Sequence, residues 1–243
     1  MNNKRVKLGV ILLYFVIYEL ISKSIGESLL LPSIGEVLKA FLLLAVEKTF
    51  WINVFCSLIR IFSGFILAVL AGCVLAALSY FTKFGYVLLS PLITVIRSTP
   101  VASFIILTLL WIKSGYVPVF ISFLMVVPVV WGNIYEGLKT TDLKLLQMAD
   151  VFGFGAWKKL RYIYSVHCAP FFTTACVTGL GFAWKSGIAA EVISMPKFSI
   201  GRRLYESKVY LETPQLFAWT LTVIALSIVA EKGIKRIFKM KAK

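Results

Sequence analysis

Residues 55–78 read FCSLIRIFSGFILAVLAGCVLAAL, an apolar run that contains a single charged residue, Arg60. A helix that crosses a bilayer needs about 20 predominantly apolar residues, and this run is long enough. Small residues recur along it and allow helices to approach closely; they are Ser63, Gly64, Ala68, Ala71, Gly72, Ala76 and Ala77. The run therefore predicts a transmembrane helix that packs tightly against other helices.

The composition of the whole chain agrees with this prediction. The 243 residues are 59% hydrophobic and 15% charged, with a mean hydropathy of +0.88. Soluble domains contain about 45–50% apolar and about 25% charged residues. We therefore expect an all-α integral membrane protein with a single transmembrane domain over residues 1–243. Its length has room for about six spans and one substantial loop.

Five further apolar runs accompany the first. The six predicted spans are residues 8–21, 55–78, 86–112, 117–135, 169–190 and 216–230. The first span is preceded by basic residues, like a signal peptide, but is not followed by a small-residue cleavage site, so we interpret it as an uncleaved helix. The third is interrupted at Arg97 to Pro100, where proline removes a backbone donor and predicts a kink or a break.

Two amphipathic segments lie between spans. Ser33 and Glu36 form a capping-box pattern at the start of a helix that reaches about Val46. Its predicted apolar face is Val37, Leu38, Phe41, Leu42 and Ala45, and we expect it to lie at the membrane interface. The second segment, 200–212, separates the last two spans.

The distribution of Lys and Arg predicts the orientation. With six spans, both termini, the Lys83 turn and the long loop before the fifth span share one side, which carries fifteen basic and four acidic residues. The other side carries eight basic and seven acidic residues. Both termini and the long loop are therefore predicted to be cytoplasmic. Because the net charge of +15 follows topology, we do not expect a nucleic-acid partner.

The long loop, about residues 142–166, is the most patterned polar interval, and we call it the coupling loop. Residues 143–172 read LKLLQMADVFGFGAWKKLRYIYSVHCAPFF. Asp142 is placed to cap a helix that begins at Leu143. Gly153 and Gly155 predict a left-handed helix end, a second basic helix follows, and Pro170 is expected to mark entry into the fifth span. Helix, turn and helix are predicted to move as one piece.

The coupling loop resembles the signature loop of binding-protein-dependent ABC importer permeases. That signature reads Glu-Ala-Ala, three residues, Gly, nine residues, a hydrophobic residue, one residue and Leu-Pro. Aligned on Gly153, the chain has Gln147, Met148 and Ala149 at the start and Ile163 at the hydrophobic position. Gln147 and Met148 depart from the signature, as does Val166 in place of proline.

Other stretches resemble the nitrate/sulfonate/taurine-type group of these permeases, whose relatives also carry pyrimidine precursors of thiamine. They are residues 97–100 (RSTP), 142–146 (DLKLL), Gly153 with Trp157, and 183–191 (AWKSGIAAE). The likeness covers about residues 31–230. It implies a fold like type I ABC importer permeases, in the plasma membrane of a prokaryote.

The resemblance also implies partners. It implies a cytoplasmic ATPase, in two copies, docked on the coupling loop, an external substrate-binding protein, and a pore that is either a homodimer with a second copy of the permease or a pseudo-dimer. The sequence contains no G-x-x-x-x-G-K-[ST] segment, so ATP-Mg is expected in the ATPase and not in this chain. We expect no cofactor here and no enzymatic activity. The implied cargo is a small anionic or heteroaromatic solute, moved inward by alternating access.

Candidate residues fall into two sets. The first would contact the ATPase: Gln147, Met148, Ala149, Asp150, Phe152, Gly153, Gly155, Trp157 and Ile163. Phe152 and Trp157 either fit a cleft on the ATPase or anchor the loop among lipid headgroups, where aromatic residues are common.

The second set would line a translocation path: Arg97, Thr99, Pro100, Trp184, Lys185 and Glu191. A lysine inside a span is costly and either faces a wet path, pairs with another charge or reaches the surface. Lys185 and Glu191 are six residues apart, on different helix faces, so we expect no pair between them. Arg60 either reaches the surface or holds a neighbouring helix.

Two other classes of protein are less consistent with the sequence. A transporter driven by an ion gradient favours inverted repeats and acidic residues at mid-membrane, for which Glu19 is the nearest candidate in the first five spans. A membrane enzyme or a metal site needs convergent ligands or nucleophiles. One histidine, His167, and four scattered cysteines do not predict such a site.

Overall fold

The computed structural model describes residues 3–241, and within that range every regular element is helical. The helices are α1 Asn3–Ile25, α2 Ile34–Val46, α3 Lys48–Phe81, α4 Lys83–Ser98, α5 Val101–Thr108, α6 Val117–Lys139, α7 Leu143–Val151, α8 Ala156–Lys159, a π-helical turn Leu160–Tyr164, α9 Ser165–Ser194, α10 Ile200–Val209 and α11 Thr213–Lys241. The predicted all-α class is confirmed.

Four helical segments in the described part of the chain are long and apolar enough to cross a bilayer. They are Lys48–Phe81, Val117–Lys139, Ala156–Ser194 and Thr213–Phe238. The pair α4 and α5 adds a fifth if its two bent halves are one span. The predicted first span, 8–21, falls in α1, where several side chains lie outside the described set, so six spans remains a prediction.

The core is formed by α3, α6 and α9. Gly64, Ala68, Gly72 and Ala76 are all buried and recur every four residues on one face of α3. A Cβ added at Gly64 would lie 2.3 Å from the carbonyl oxygen of Val119, and at Gly72 it would lie 2.7 Å from Cβ of Val130. Small residues therefore bring α3 and α6 into near backbone contact, as the sequence predicts.

The break in the third apolar run is confirmed. α4 ends at Ser98, α5 begins at Val101, and their axes are bent by 102°. Thr99 has φ −85° and ψ 133°, an extended conformation. The ring of a proline disfavours helical backbone in the residue before it, so Pro100 forces Thr99 out of the helix.

The capping box of α2 is confirmed, since Ser33 and Glu36 bond to each other's backbone N–H groups. The predicted apolar face is correct only in part. Val37 and Leu44 are the buried residues of α2, whereas Leu38 and Leu42 are exposed. α2 packs on α11 and α3, and this contact covers only one side of a helix that is apolar around most of its circumference.

Pro170 was predicted to mark entry into the fifth span, but it lies inside a continuous helix, and the point where that helix enters the bilayer stays a prediction. The helical path runs without interruption from Ala156 to Ser194, with the π turn at Leu160–Tyr164 and Pro170 inside α9. A transmembrane helix tolerates proline where neighbouring groups and local π geometry compensate for the lost hydrogen bond. The basic segment after Gly155 is therefore the first turn of a long helix and not a separate one.

Candidate functional site

A cavity of about 570 Å³ lies where the α4–α5 break faces α6 and α9. Three of the predicted path residues line it together: Arg97, Thr99 and Lys185. The other lining residues are Ile96, Val101, Met125, Pro128, Val129, Asn133, Phe182, Ser186 and Ala189. Of these described lining residues none is acidic, so the cavity is apolar with two positive charges.

Arg97 is held at the wall by one hydrogen bond. Its Nη2 donates to the carbonyl oxygen of Pro128 at 2.6 Å. A Cβ at Gly132 would lie 2.5 Å from the same Nη2, so the lack of a side chain at Gly132 makes room for the guanidinium. The guanidinium carries five N–H donors, and most of them remain available to a ligand.

Within the described residues, neither Arg97 nor Lys185 has a carboxylate at salt-bridge distance. Thr99 and Val101, at the start of α5, also line the cavity. The N-terminus of a helix carries a partial positive charge. The cavity is therefore suited to a group with negative charge.

Three other predicted path residues lie elsewhere. Pro100 forms the N-cap of α5 and does not line the cavity. Trp184 is 2% exposed and donates from Nε1 to the carbonyl oxygen of Val223, 3.1 Å away in α11. Glu191 is fully buried where α9 meets α3 and α10. Their positions indicate helix packing rather than contact with the contents of the cavity.

The expectation that Lys185 and Glu191 do not pair agrees with this geometry. Glu191 pairs instead with Arg60, with Oε1 3.4 Å from Nη1. Arg60 holds a neighbouring segment, one of the two roles left open by the sequence. Ser57 and Gly201 complete the environment of Glu191, and neither was singled out from the sequence.

The coupling loop begins as predicted. The Asp142 side chain accepts a hydrogen bond from the N–H of Lys144 at 2.8 Å, and α7 starts at Leu143. At its end, Gly153 has φ +69° and donates to the carbonyl of Asp150, while Phe154 N donates to the carbonyl of Ala149. This is the Schellman arrangement, which requires a left-handed residue and so favours glycine.

Gly155 does not have the predicted left-handed conformation. Its φ is −66°, which any residue can adopt, and it serves as the N-cap of α8. An ion pair between Asp150 and Lys159 joins α7 to α8 across the turn. The turn is therefore closed by backbone hydrogen bonds on one side and by a side-chain pair on the other.

The apolar side chains of the loop are mostly uncovered. Phe152 and Trp157 are 71% and 72% exposed, and Met148 and Val151 are also exposed. Of the other predicted contact residues, Gln147 is exposed, Ala149 is buried, and Ile163 is half-buried in the π turn. An exposed apolar patch of this kind marks a contact with a protein or with lipid.

Two polar residues at the cavity, Asn133 and Ser186, were not predicted from the sequence. Ser186 is adjacent to Lys185, which is a weak signal. Asn133 stands four residues after Val129, to whose carbonyl it donates, and it resembles any polar residue tolerated in a span.

Comparison with known proteins identifies the family of the chain. Residues 64–233 match the family of binding-protein-dependent transport system inner membrane components. The chain belongs to this family. It is therefore an ABC transporter permease subunit, an integral membrane protein whose family works with an ATPase and a binding protein.

Named relatives are distant but cover most of the chain. A "Probable ABC transporter permease protein" of Brucella melitensis is 25% identical over 96% of this chain and 95% of its own length. The taurine transport system permease protein TauC of Escherichia coli is 22% identical over 85% of this chain and 77% of its own length. The riboflavin transport system permease protein RibX of Chloroflexus aurantiacus is 23% identical over 60% of this chain and 55% of its own length.

Proposed function

We propose that this chain is the membrane subunit of an ATP-driven importer that works by alternating access. The observation that carries the proposal is the coupling loop: a Schellman-closed turn with Phe152 and Trp157 more than two-thirds exposed. Burial of a side chain of this size against a partner contributes about 1.5–3 kcal/mol. The loop leads directly into the helix Ala156–Ser194, so force applied there reaches the core.

The cargo that the cavity fits is a small anionic or heteroaromatic solute. Arg97 and Lys185 supply the positive charge, and the apolar lining strengthens electrostatic attraction because the local dielectric is low. Nitrate, sulfonates such as taurine, and pyrimidine precursors of thiamine have suitable size or chemistry. TauC, a taurine permease by name, supports the sulfonate class.

The proposed assembly contains two copies of a cytoplasmic ABC ATPase, which bind ATP-Mg, and a second copy of the permease. An external substrate-binding protein delivers the solute. This chain binds no cofactor and catalyses no reaction. Both termini and the coupling loop lie in the cytoplasm of a prokaryotic cell, and the chain resides in the plasma membrane.

The same substitution at two glycines tests the docking role. Gly153→Val places a β-branched residue at φ +69°, which costs about 1–2 kcal/mol and distorts the turn. Gly155→Val is the matched control, because its φ is −66° and an added Cβ meets nothing within 4 Å. We expect Gly153→Val to insert normally but to lose ATP-dependent uptake, and Gly155→Val to transport like the wild type.

The measurement is uptake of labelled taurine, nitrate and a thiamine pyrimidine precursor, with ATPase copurification as a second readout. Normal transport by Gly153→Val would refute docking through this turn. Uptake that survives ATP depletion but stops with an ionophore would instead indicate an ion-gradient transporter.

A further inference from the structure

Glu191 has an unusually complete set of partners for a carboxylate in a membrane protein. It is fully buried, and its Oε2 accepts from Ser57 Oγ at 2.7 Å and from Gly201 N at 3.1 Å. Its Oε1 lies 3.4 Å from Nη1 of Arg60. Ser57 Oγ in turn accepts from Ile200 N at 2.9 Å. One carboxylate thus joins α3, α9 and the first turn of α10.

Arg60 holds the segment that connects α9 to α10. Its Nη1 donates to the carbonyl oxygen of Phe198 at 2.8 Å, and its Nη2 donates to that of Lys197 at 2.8 Å. Met195 and Phe198, both in this connection, have φ of 45° and 52°. Left-handed backbone in residues other than glycine persists only where the surroundings determine it. Arg60 supplies such a contact at Phe198, and Met195 donates from its N–H to the carbonyl of Glu191 at the end of α9.

Close packing adds to the hydrogen bonds. A Cβ at Gly201 would lie 2.3 Å from Cβ of Glu191 and 2.5 Å from the backbone N of Val192. The start of α10 therefore lies against the backbone of α9 with no space between them. We call the set formed by Ser57, Arg60, Glu191 and Gly201 the α10 lock.

Glu191 lies near the end of the long helical path that contains α9, and the opposite end of that path lies within the coupling loop. The path runs from Ala156 to Ser194, and the Asp150–Lys159 ion pair attaches α7 to its first turn. The loop and the α10 lock are thus at the two ends of one continuous helix. A displacement of one end is carried to the other through helical backbone.

From this geometry we propose that the α10 lock makes α10 move with α9, so that ATP-driven movement of the coupling loop also repositions α10 on the far side of the membrane. The proposal rests on the proposed function, in which an ATPase acts on the coupling loop. It assigns Arg60 and Glu191 as positioning residues that contact neither the solute nor ATP.

The test follows α10 directly. Tyr210 is 72% exposed at the end of α10, so Tyr210→Cys provides a site for a maleimide probe. The chain without this substitution is the blank, since its four cysteines are buried or half-buried. The permease is purified with its ATPase from native membranes and placed in lipid vesicles. The labelling rate at residue 210 is then measured with and without ATP-Mg.

Three chains that carry Tyr210→Cys are compared. The first has no other change and keeps the lock intact, the second also carries Arg60→Met and Glu191→Leu (the double variant), and the third also carries Arg202→Met. The double variant removes both charges, so it leaves no buried ion without a partner and remains able to fold. Arg202→Met is the matched control, because Arg202 is a half-exposed arginine of α10 that pairs only with Glu206 in the described part of the chain.

With the lock intact, and in the control, we expect ATP-Mg to change the labelling rate by about 5- to 150-fold, the usual size of the coupling between two sites. In the double variant we expect the rate to become independent of ATP-Mg, with the ATPase still bound and active. An ATP-dependent change that persists in the double variant, or none with the lock intact, overturns the proposal. Absence of a copurifying ATPase would instead contradict the proposed function.

Discussion

Arg60 and Arg97 both belong to apolar helices of this permease, but their surroundings differ. Arg60 donates to two backbone carbonyls and a buried carboxylate, and its side chain is 18% exposed. Arg97 donates to one carbonyl and otherwise faces a cavity that it shares with Lys185. A charge within a membrane protein is either fully paired or faces space where something else supplies the pair. The first arginine joins two helices and their connection, and the second faces open space beside Lys185.

The sharpest test of this contrast is the loss of each arginine's charge. Arg60→Met leaves Glu191 buried without its cation, and breaking a buried pair in this way costs about 3–5 kcal/mol. Arg97→Met loses one hydrogen bond, worth about 1 kcal/mol. Thermal unfolding in detergent measures both. Equal stability losses would show that the two arginines are not distinguished by their packing.

A smaller loss is expected at Gly201, which touches the paired carboxylate. Gly201→Ala forces α10 away from α9, because the added Cβ would overlap backbone atoms of Glu191 and Val192. Overpacking of this kind costs about 1–3 kcal/mol. Gly181→Ala, where nothing lies within 4 Å, is the control and should keep or slightly raise stability. Thermal unfolding in detergent measures both variants. A Gly201→Ala chain as stable as the wild type would contradict the close contact between α10 and α9.

The smallest effect is expected at the unpaired charges, and in uptake rather than in stability. Lys185→Met should reduce uptake of an anion about tenfold, equivalent to about 1.4 kcal/mol. Trp184→Phe, one residue away, is the control: it loses the hydrogen bond to Val223 but leaves the cavity wall unchanged. It should transport normally with slightly lower stability. Unchanged uptake in Lys185→Met would remove this lysine from the path.

Features set by neighbouring residues were predictable from the sequence. Ser33 with Glu36, Asp142, Pro100 and Gly153 each act within a few residues, and the structure has a cap, a break or a turn at each. Pro170 was not interpreted correctly, because a proline does not always end a helix: this one is exposed and lies inside the continuous helix α9.

Pairings between distant residues were not predictable. Ser57 and Glu191 are 134 positions apart, and nothing local in either segment specifies the other. The same limit applies to the cavity: its two cations come from different helices, 88 positions apart by their numbers, 97 and 185. The sequence placed Arg97 and Lys185 among the candidates, but it also placed Glu191 and Trp184 there. Only packing separates the two pairs.

The uninterrupted path Ala156–Ser194 has a mechanical consequence. Its 39 residues, at a rise of about 1.5 Å each, make a rod about 58 Å long, nearly twice the roughly 30 Å hydrocarbon thickness of a bilayer. Such a rod is longer than the hydrocarbon is thick, and under the proposed coupling to an ATPase it would act as a lever. A tilt of about 10° about its middle would displace each end by about 5 Å, close to the pitch of one helical turn.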